Sequence, residues 1–252
     1  ALWGQLAGYG HLDDAIVLAV AVRCAVATDR PWVRGVLVGL AVGVKPWAVV
    51  IVPLVFDWPV PWRGPTGRAG RLVHWASPGA VAAAVGAACW LPFVVHSPDT
   101  TASLKPTVSL ADDSVLALLG LRSADVPAAV RVAQLLGAMA VAVWCCWRGR
   151  VASVLMAALA VRMATDLGTW SYYTPGLLVA TLAWDLLVRR RAVPVLTLAA
   201  TVLLPLPWMI DSPDVRAVMR LGACALVLGV ALSGRAPSAT RSCPSSDRPA
   251  VG

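Results

Sequence analysis

Charge is the scarcest commodity in this sequence. Only 13% of its 252 residues are charged, against about 25% in soluble domains, and the mean hydropathy is +0.74. Those values exclude an ordinary soluble domain. Glutamate is missing, so all 13 acids are aspartates, and lysine occurs only as Lys45 and Lys105. Arginine therefore carries nearly all of the +8 net charge. A basic chain can bind nucleic acid, but here the arginines cluster in short loops between apolar blocks, as expected beside a bilayer. No nucleic-acid partner is expected.

Other absences narrow the chemistry. No CxxC occurs, and the neighbours Cys145 and Cys146 point to different sides of a helix; no metal site is expected. Cys24, Cys89, Cys145, Cys146 and Cys224 lie in apolar blocks and read as small buried hydrophobes, with Cys243 in a polar tail. The chain opens on Ala1 with no charged leader or cleavage site, so no signal peptide is visible and an N-terminally truncated fragment is expected. There is no Gly-rich phosphate loop, hence no nucleotide cofactor is identified, and no internal repeat of the transporter type.

What the sequence has in quantity is apolar blocks of roughly 12 to 22 residues separated by prolines and charges. They predict an all-α, polytopic helical membrane protein with about nine segments. These run from Asp13 to Thr28, Val33 to Val44, Trp47 to Phe56, Pro78 to Val95, Val126 to Trp147, Val151 to Thr165, Thr174 to Val188, Ala192 to Ile210 and Arg216 to Ser233. Residues 1–233 form the membrane domain, and Gly234 to Gly252 are expected to be a disordered cytoplasmic tail. Asp57 to Trp75 reads as an irregular loop, and Ser114 to Leu121 as a short helix in the membrane interface.

The second and third segments are too short to cross alone, since 12 helical residues span about 18 Å of a hydrocarbon core of about 30 Å. Joined as one helix they would put Lys45 at the midplane, at about 2.5 to 3.5 kcal/mol. A hairpin turning at Lys45-Pro46 is favoured. The arginines then set orientation: Arg30, Arg34, Arg63, Arg68, Arg71, Arg148, Arg150, Arg189 to Arg191 and the tail inside, and the loops rich in Asp, His and aromatics outside.

The outer loops hold the residues that could do chemistry. His11, Asp13 and Asp14 precede the first segment; one aspartate there can cap the helix and complement its dipole, and the second needs another reason. Lys45 is either a snorkelling lysine or a fixed charge for a lipid phosphate. Arg162 and Asp166, four apart, share a helix face and can form a structural ion pair. The cluster Trp170-Ser171-Tyr172-Tyr173 is either an interfacial belt or a platform on which a sugar ring stacks.

The runs Tyr9-Gly10-His11-Leu12-Asp13-Asp14, Gly35 to Pro46, and Trp170-Ser171-Tyr172-Tyr173 with Trp184-Asp185 resemble actinobacterial members of glycosyltransferase family 87, of the C-type superfamily. The lack of glutamate fits the coding bias of a GC-rich bacterial genome. The resemblance, over about Tyr9 to Val188, implies a multi-pass cell-membrane enzyme of the cell envelope. Such an enzyme moves a hexose, typically mannose, from a polyprenyl-phosphate donor to a lipid or glycan acceptor on the outer face. Its partners would be membrane lipids, the lipid-linked donor and the acceptor. Asp13 and Asp14 are then the catalytic candidates, and His11, Lys45, Arg162, Asp166, Tyr172 and Tyr173 the substrate-binding ones. In that superfamily the catalytic carboxylate usually sits in a first external loop, which here would lie upstream of Ala1; Asp13 and Asp14 are candidates for the base or for a supporting role. A transporter or lipid flippase is the rival reading.

Overall fold

The computed structural model describes residues 12–26, 30–56, 58, 68–97, 99–100, 110–121, 128–168, 173–189 and 193–233. Among them every regular element is helical. The expected tail, His11 and Tyr172 lie outside the described residues.

The elements are α1 (Leu12–Val26), α2 (Pro31–Val44), a 3₁₀ stretch (Pro46–Val55), α3 (Arg68–His96), α4 (Val115–Leu118), α5 (Ala128–Trp147), α6 (Val154–Ala164), α7 (Thr174–Trp184), α8 (Val195–Leu203) and α9 (Pro213–Ser233). Three helices are long and apolar enough to cross a membrane, over Leu72–His96, Ala129–Trp147 and Pro213–Ser233. The other apolar elements are shorter, so nine separate crossings do not emerge. Burial is inverted relative to a soluble protein. At most 33% of the apolar window of each long helix is buried inside the molecule, whereas Val154 to Ala160 of the 11-residue α6 are buried without interruption. A helix apolar on every side belongs in the interior, and α6 packs against α5, α7 and α9. The long helices turn apolar flanks outward, as lipid-facing elements do.

The break at Lys45 follows from Pro46. The residue before a proline is pushed out of the helical region, and Lys45 sits at φ −147°, ψ 120°, closing α2 with its N–H on the Ala41 carbonyl. The chain then doubles back. Arg34, near the start of α2, donates to the Leu54 carbonyl at the end of the 3₁₀ stretch at 3.4 Å, so the two arms are antiparallel with Lys45 at the turn. Arg34 is only 5% exposed. There it reaches a carbonyl that the end of the hairpin leaves without an intrahelical partner.

The hairpin is clamped by α3. Gly35, Gly39 and Gly43 form one face of α2, and a Cβ added at Gly35 or Gly39 would stand 2.5 or 2.6 Å from the Pro78 or Ala82 carbonyl of α3. Such contact is possible only for residues without a side chain. Trp90 adds a hydrogen bond to the Val42 carbonyl at 3.1 Å. The helix also starts earlier than the loop reading of Asp57 to Trp75 allowed, at Arg68, and runs through two prolines. Pro78 cannot donate to the His74 carbonyl, and the Ser77 hydroxyl donates to it instead at 3.0 Å.

Two further expectations shift. The block from Ala192 to Ile210 is not one segment: α8 ends at Leu203, and Pro205 and Pro207 leave only a 3₁₀ turn, Leu206–Met209. The stretch from Thr174 to Val188 begins as α7 and widens into a π turn over Asp185–Arg189. There the buried Asp185 carboxylate accepts from the Thr197 N–H and hydroxyl, each at 2.8 Å, and so caps α8 from a neighbouring element. The short helix within Ser114 to Leu121 is present, with the Ser114 hydroxyl accepting from the Ala117 N–H at 3.1 Å. The five described cysteines are free thiols, all buried except the half-buried Cys89.

Candidate functional site

The turn at Lys45, the start of α1, the end of α6 and the start of α7 meet at one end of the bundle. Asp13 and Asp14 occupy the first turn of α1, where the helix dipole favours negative charge, and Lys45 follows the C-terminus of α2, where it favours positive charge. The Lys45 ammonium lies 2.7 Å from Asp13 Oδ2 and 3.2 Å from Asp14 Oδ2. Lys45 is thus neither a solitary snorkelling charge nor an unengaged cation. Burial pulls its pKa down, but hydrogen bonds and charge from Asp13 and Asp14 outweigh that and raise it overall.

Trp47, two residues past the turn, joins the constellation. Its indole N–H donates to Asp14 Oδ1 at 2.7 Å, so both Asp14 oxygens are held. The Arg162 guanidinium lies 4.8 Å from the Trp47 ring centre and 5.2 Å from that of Tyr173. Two aromatic faces therefore position one cation. Arg162 Nε is 4.0 Å from Asp166 Oδ2, a loose pair, and Gln134 donates to the Arg162 carbonyl at 3.0 Å. Burial pushes the Asp166 carboxyl above its ordinary range, against the opposing charge of Arg162.

These groups wall a cleft of about 440 Å³, open space at its mouth included, lined by Asp14, Trp47, Arg162, Asp166 and Tyr173 over a floor that includes Leu18 and Leu177. Asp13 is tied to it through Lys45, with a side chain 39% exposed against 13% for Asp14. Of the residues singled out from the sequence, Asp13, Asp14, Lys45, Arg162, Asp166 and Tyr173 come together here. The one left out of that selection was Trp47; its position beside Lys45-Pro46 was the available signal. Among the described residues no group of three His, Cys or Asp side chains converges as metal ligands do.

Comparison of the chain with protein families, with curated proteins and with solved structures finds no match.

Proposed function

We propose that the chain is part of a membrane glycosyltransferase whose cleft takes the head of a polyprenyl-phosphate-linked hexose on the outer face of the membrane. The observation that carries this reading is the pairing, in one cleft, of the held carboxylate of Asp14 with the guanidinium of Arg162 clasped by Trp47 and Tyr173. Asp14 accepts the proton of the acceptor hydroxyl as its oxygen bonds to the anomeric carbon. The bond from that carbon to the phosphate oxygen breaks, and Arg162 stabilises the charge gathering on the departing polyprenyl phosphate. Lys45 keeps its place as the residue that steadies Asp13 and Asp14 rather than as the main phosphate clamp. The aromatic faces suit a sugar ring, and Leu18 and Leu177 suit the first units of the prenyl chain. The acidic and aromatic end faces out and the arginine-rich end, with Arg148 and Arg189, faces the cytoplasm.

The full-length protein in proteoliposomes tests this with polyprenyl-phosphate mannose, GDP-mannose and a candidate acceptor lipid. Transfer from the first donor and not the second is expected, and Asp14→Asn should lower turnover by about 10²-fold or more with donor KM little changed. A flippase reading has one feature in its favour, the broken element at Lys45. It is upheld instead if labelled donor crosses the bilayer without any sugar reaching an acceptor.

A further inference from the structure

The charges around the cleft balance one another. Asp13, Asp14 and Asp166 stand against Lys45 at the turn, Arg162 at the end of α6, and Arg131 at the start of α5, whose charge also acts on Asp166. The segment joined to the Leu167 carbonyl through the Ala111 N–H carries the exposed Asp112. It also carries Asp113, which is paired with Arg216 and Arg220 of α9. An anion that reaches Arg162 therefore meets no surplus of positive charge. Its arrival favours the loss of charge from a carboxylate beside it.

The carboxylates are not held alike. Asp13 and Asp14 share the Lys45 ammonium at 2.7 and 3.2 Å, and Asp14 also accepts from Trp47 at 2.7 Å. Such bonds favour the charged form. Asp166 has the Arg162 Nε at 4.0 Å, beyond hydrogen-bond reach, and accepts from the Gly168 N–H at a long 3.4 Å. Its side chain is only 15% exposed. Burial raises its pKa against the pull of Arg162, the Gly168 and Leu167 N–H groups and Arg131. Asp166 is thus the most weakly held anion of the cleft, and the transfer step leaves it without a task.

We propose that Asp166 is the resting counter-ion of Arg162 and takes up a proton when a phosphodiester reaches that guanidinium, so that donor binding is coupled to proton uptake. The inference rests on the transfer reading in naming Arg162 as the seat of the phosphate. The phosphodiester brings one negative charge, the Asp166 carboxylate becomes a neutral carboxyl with a proton drawn from solvent, and no other covalent bond changes. A carboxyl that titrates higher in the complex than in the free protein makes the complex tighter as the pH falls.

Isothermal titration calorimetry of the full-length protein in nanodiscs, with polyprenyl-phosphate mannose and no acceptor, tests this in buffers of different ionisation enthalpy. The donor is a phosphodiester and keeps one negative charge throughout. The wild type should bind about tenfold more tightly at about pH 5 than at about pH 8, and between them take up as much as about one proton per donor bound. Asp166→Asn should bind with the same affinity at both ends, equal to that of the wild type at the lower pH, and take up no proton. Infrared difference spectra of the wild type should gain the C=O stretch of a protonated carboxyl on donor binding, a readout that does not depend on the variant folding. Wild-type affinity indifferent to pH, or proton uptake that persists in Asp166→Asn, would overturn the proposal and leave the transfer reading standing. Failure of the wild type to bind the donor at any pH would remove both.

Discussion

Trp47 performs two tasks with one side chain, and they can be separated. Trp47→Phe keeps a ring beneath Arg162 and deletes the hydrogen bond to Asp14. A bond to a charged group contributes about 1.5 to 3 kcal/mol, so turnover should fall roughly ten- to hundredfold with donor KM nearly unchanged; steady-state kinetics on the two proteins checks the split. Asp166 gives a test by pH. Burial holds its carboxyl above the ordinary carboxylate range, so the native state takes up a proton before the unfolded chain does as the pH falls. Lowering the pH through that interval therefore stabilises the native wild type relative to Asp166→Asn. Thermal unfolding of both proteins at steps from about pH 7 down to about pH 4 should show their difference in Tm moving in favour of the wild type as the pH falls. An unmoving difference would contradict the assignment. At this scale most of the site was legible, since Asp13, Asp14, Lys45, Arg162 and Asp166 are charges where apolar residues were expected. Trp47 was not, because 12 tryptophans leave the residue type uninformative. The burial of Arg34 was not legible either, because a cation near an apolar boundary and one folded back onto a carbonyl look alike in sequence.

Among the elements, the α2–α3 contact is the most demanding. A Cβ at Gly39 would meet the Ala82 carbonyl at 2.6 Å and the Val85 Cβ at 2.7 Å, whereas a Cβ at Gly222 in α9 meets nothing within 4 Å. Gly39→Ala should cost about 1 to 3 kcal/mol through overpacking. Gly222→Ala should be neutral or gain up to about 1 kcal/mol from helix propensity. Thermal unfolding in the same detergent compares them directly, and equal effects would refute the tight packing. Element type was readable from the apolar blocks, and the stop at Lys45 from Pro46. The start of α3 was not, because the arginines and glycines that mark a loop are also tolerated at the polar end of a long helix. The break after Leu203 was missed for the opposite reason. Pro205 and Pro207 stand inside an unbroken apolar run, and hydropathy does not register a lost N–H.

Across the described residues, polar contacts gather at two ends. Asp14, Lys45, Trp47, Arg162 and Tyr173 meet at one, where the Ala111 N–H also donates to the Leu167 carbonyl at 2.8 Å. Arg34, Leu54 and the Pro53 carbonyl, which accepts from Trp58 at 2.9 Å, meet at the other. The orientation of these two ends in a membrane is a matter for labelling. A cysteine at the exposed position Asp112 should be labelled by an impermeant maleimide on intact cells, and one at the exposed Arg148 only after permeabilisation, both in a background without native cysteines. Labelling of position 148 from outside would reverse the orientation.

The central claim is that Arg162, clasped between Trp47 and Tyr173, receives the donor phosphate. Donor kinetics of the full-length wild type, Arg162→Lys and Arg162→Gln, with polyprenyl-phosphate mannose as the varied substrate, test it most directly. The account predicts that Arg162→Gln raises donor KM about tenfold or more and lowers turnover as well. Arg162→Lys should retain part of both, because the charge survives while the planar stacking geometry is lost. Wild-type KM and turnover in Arg162→Gln would contradict the claim.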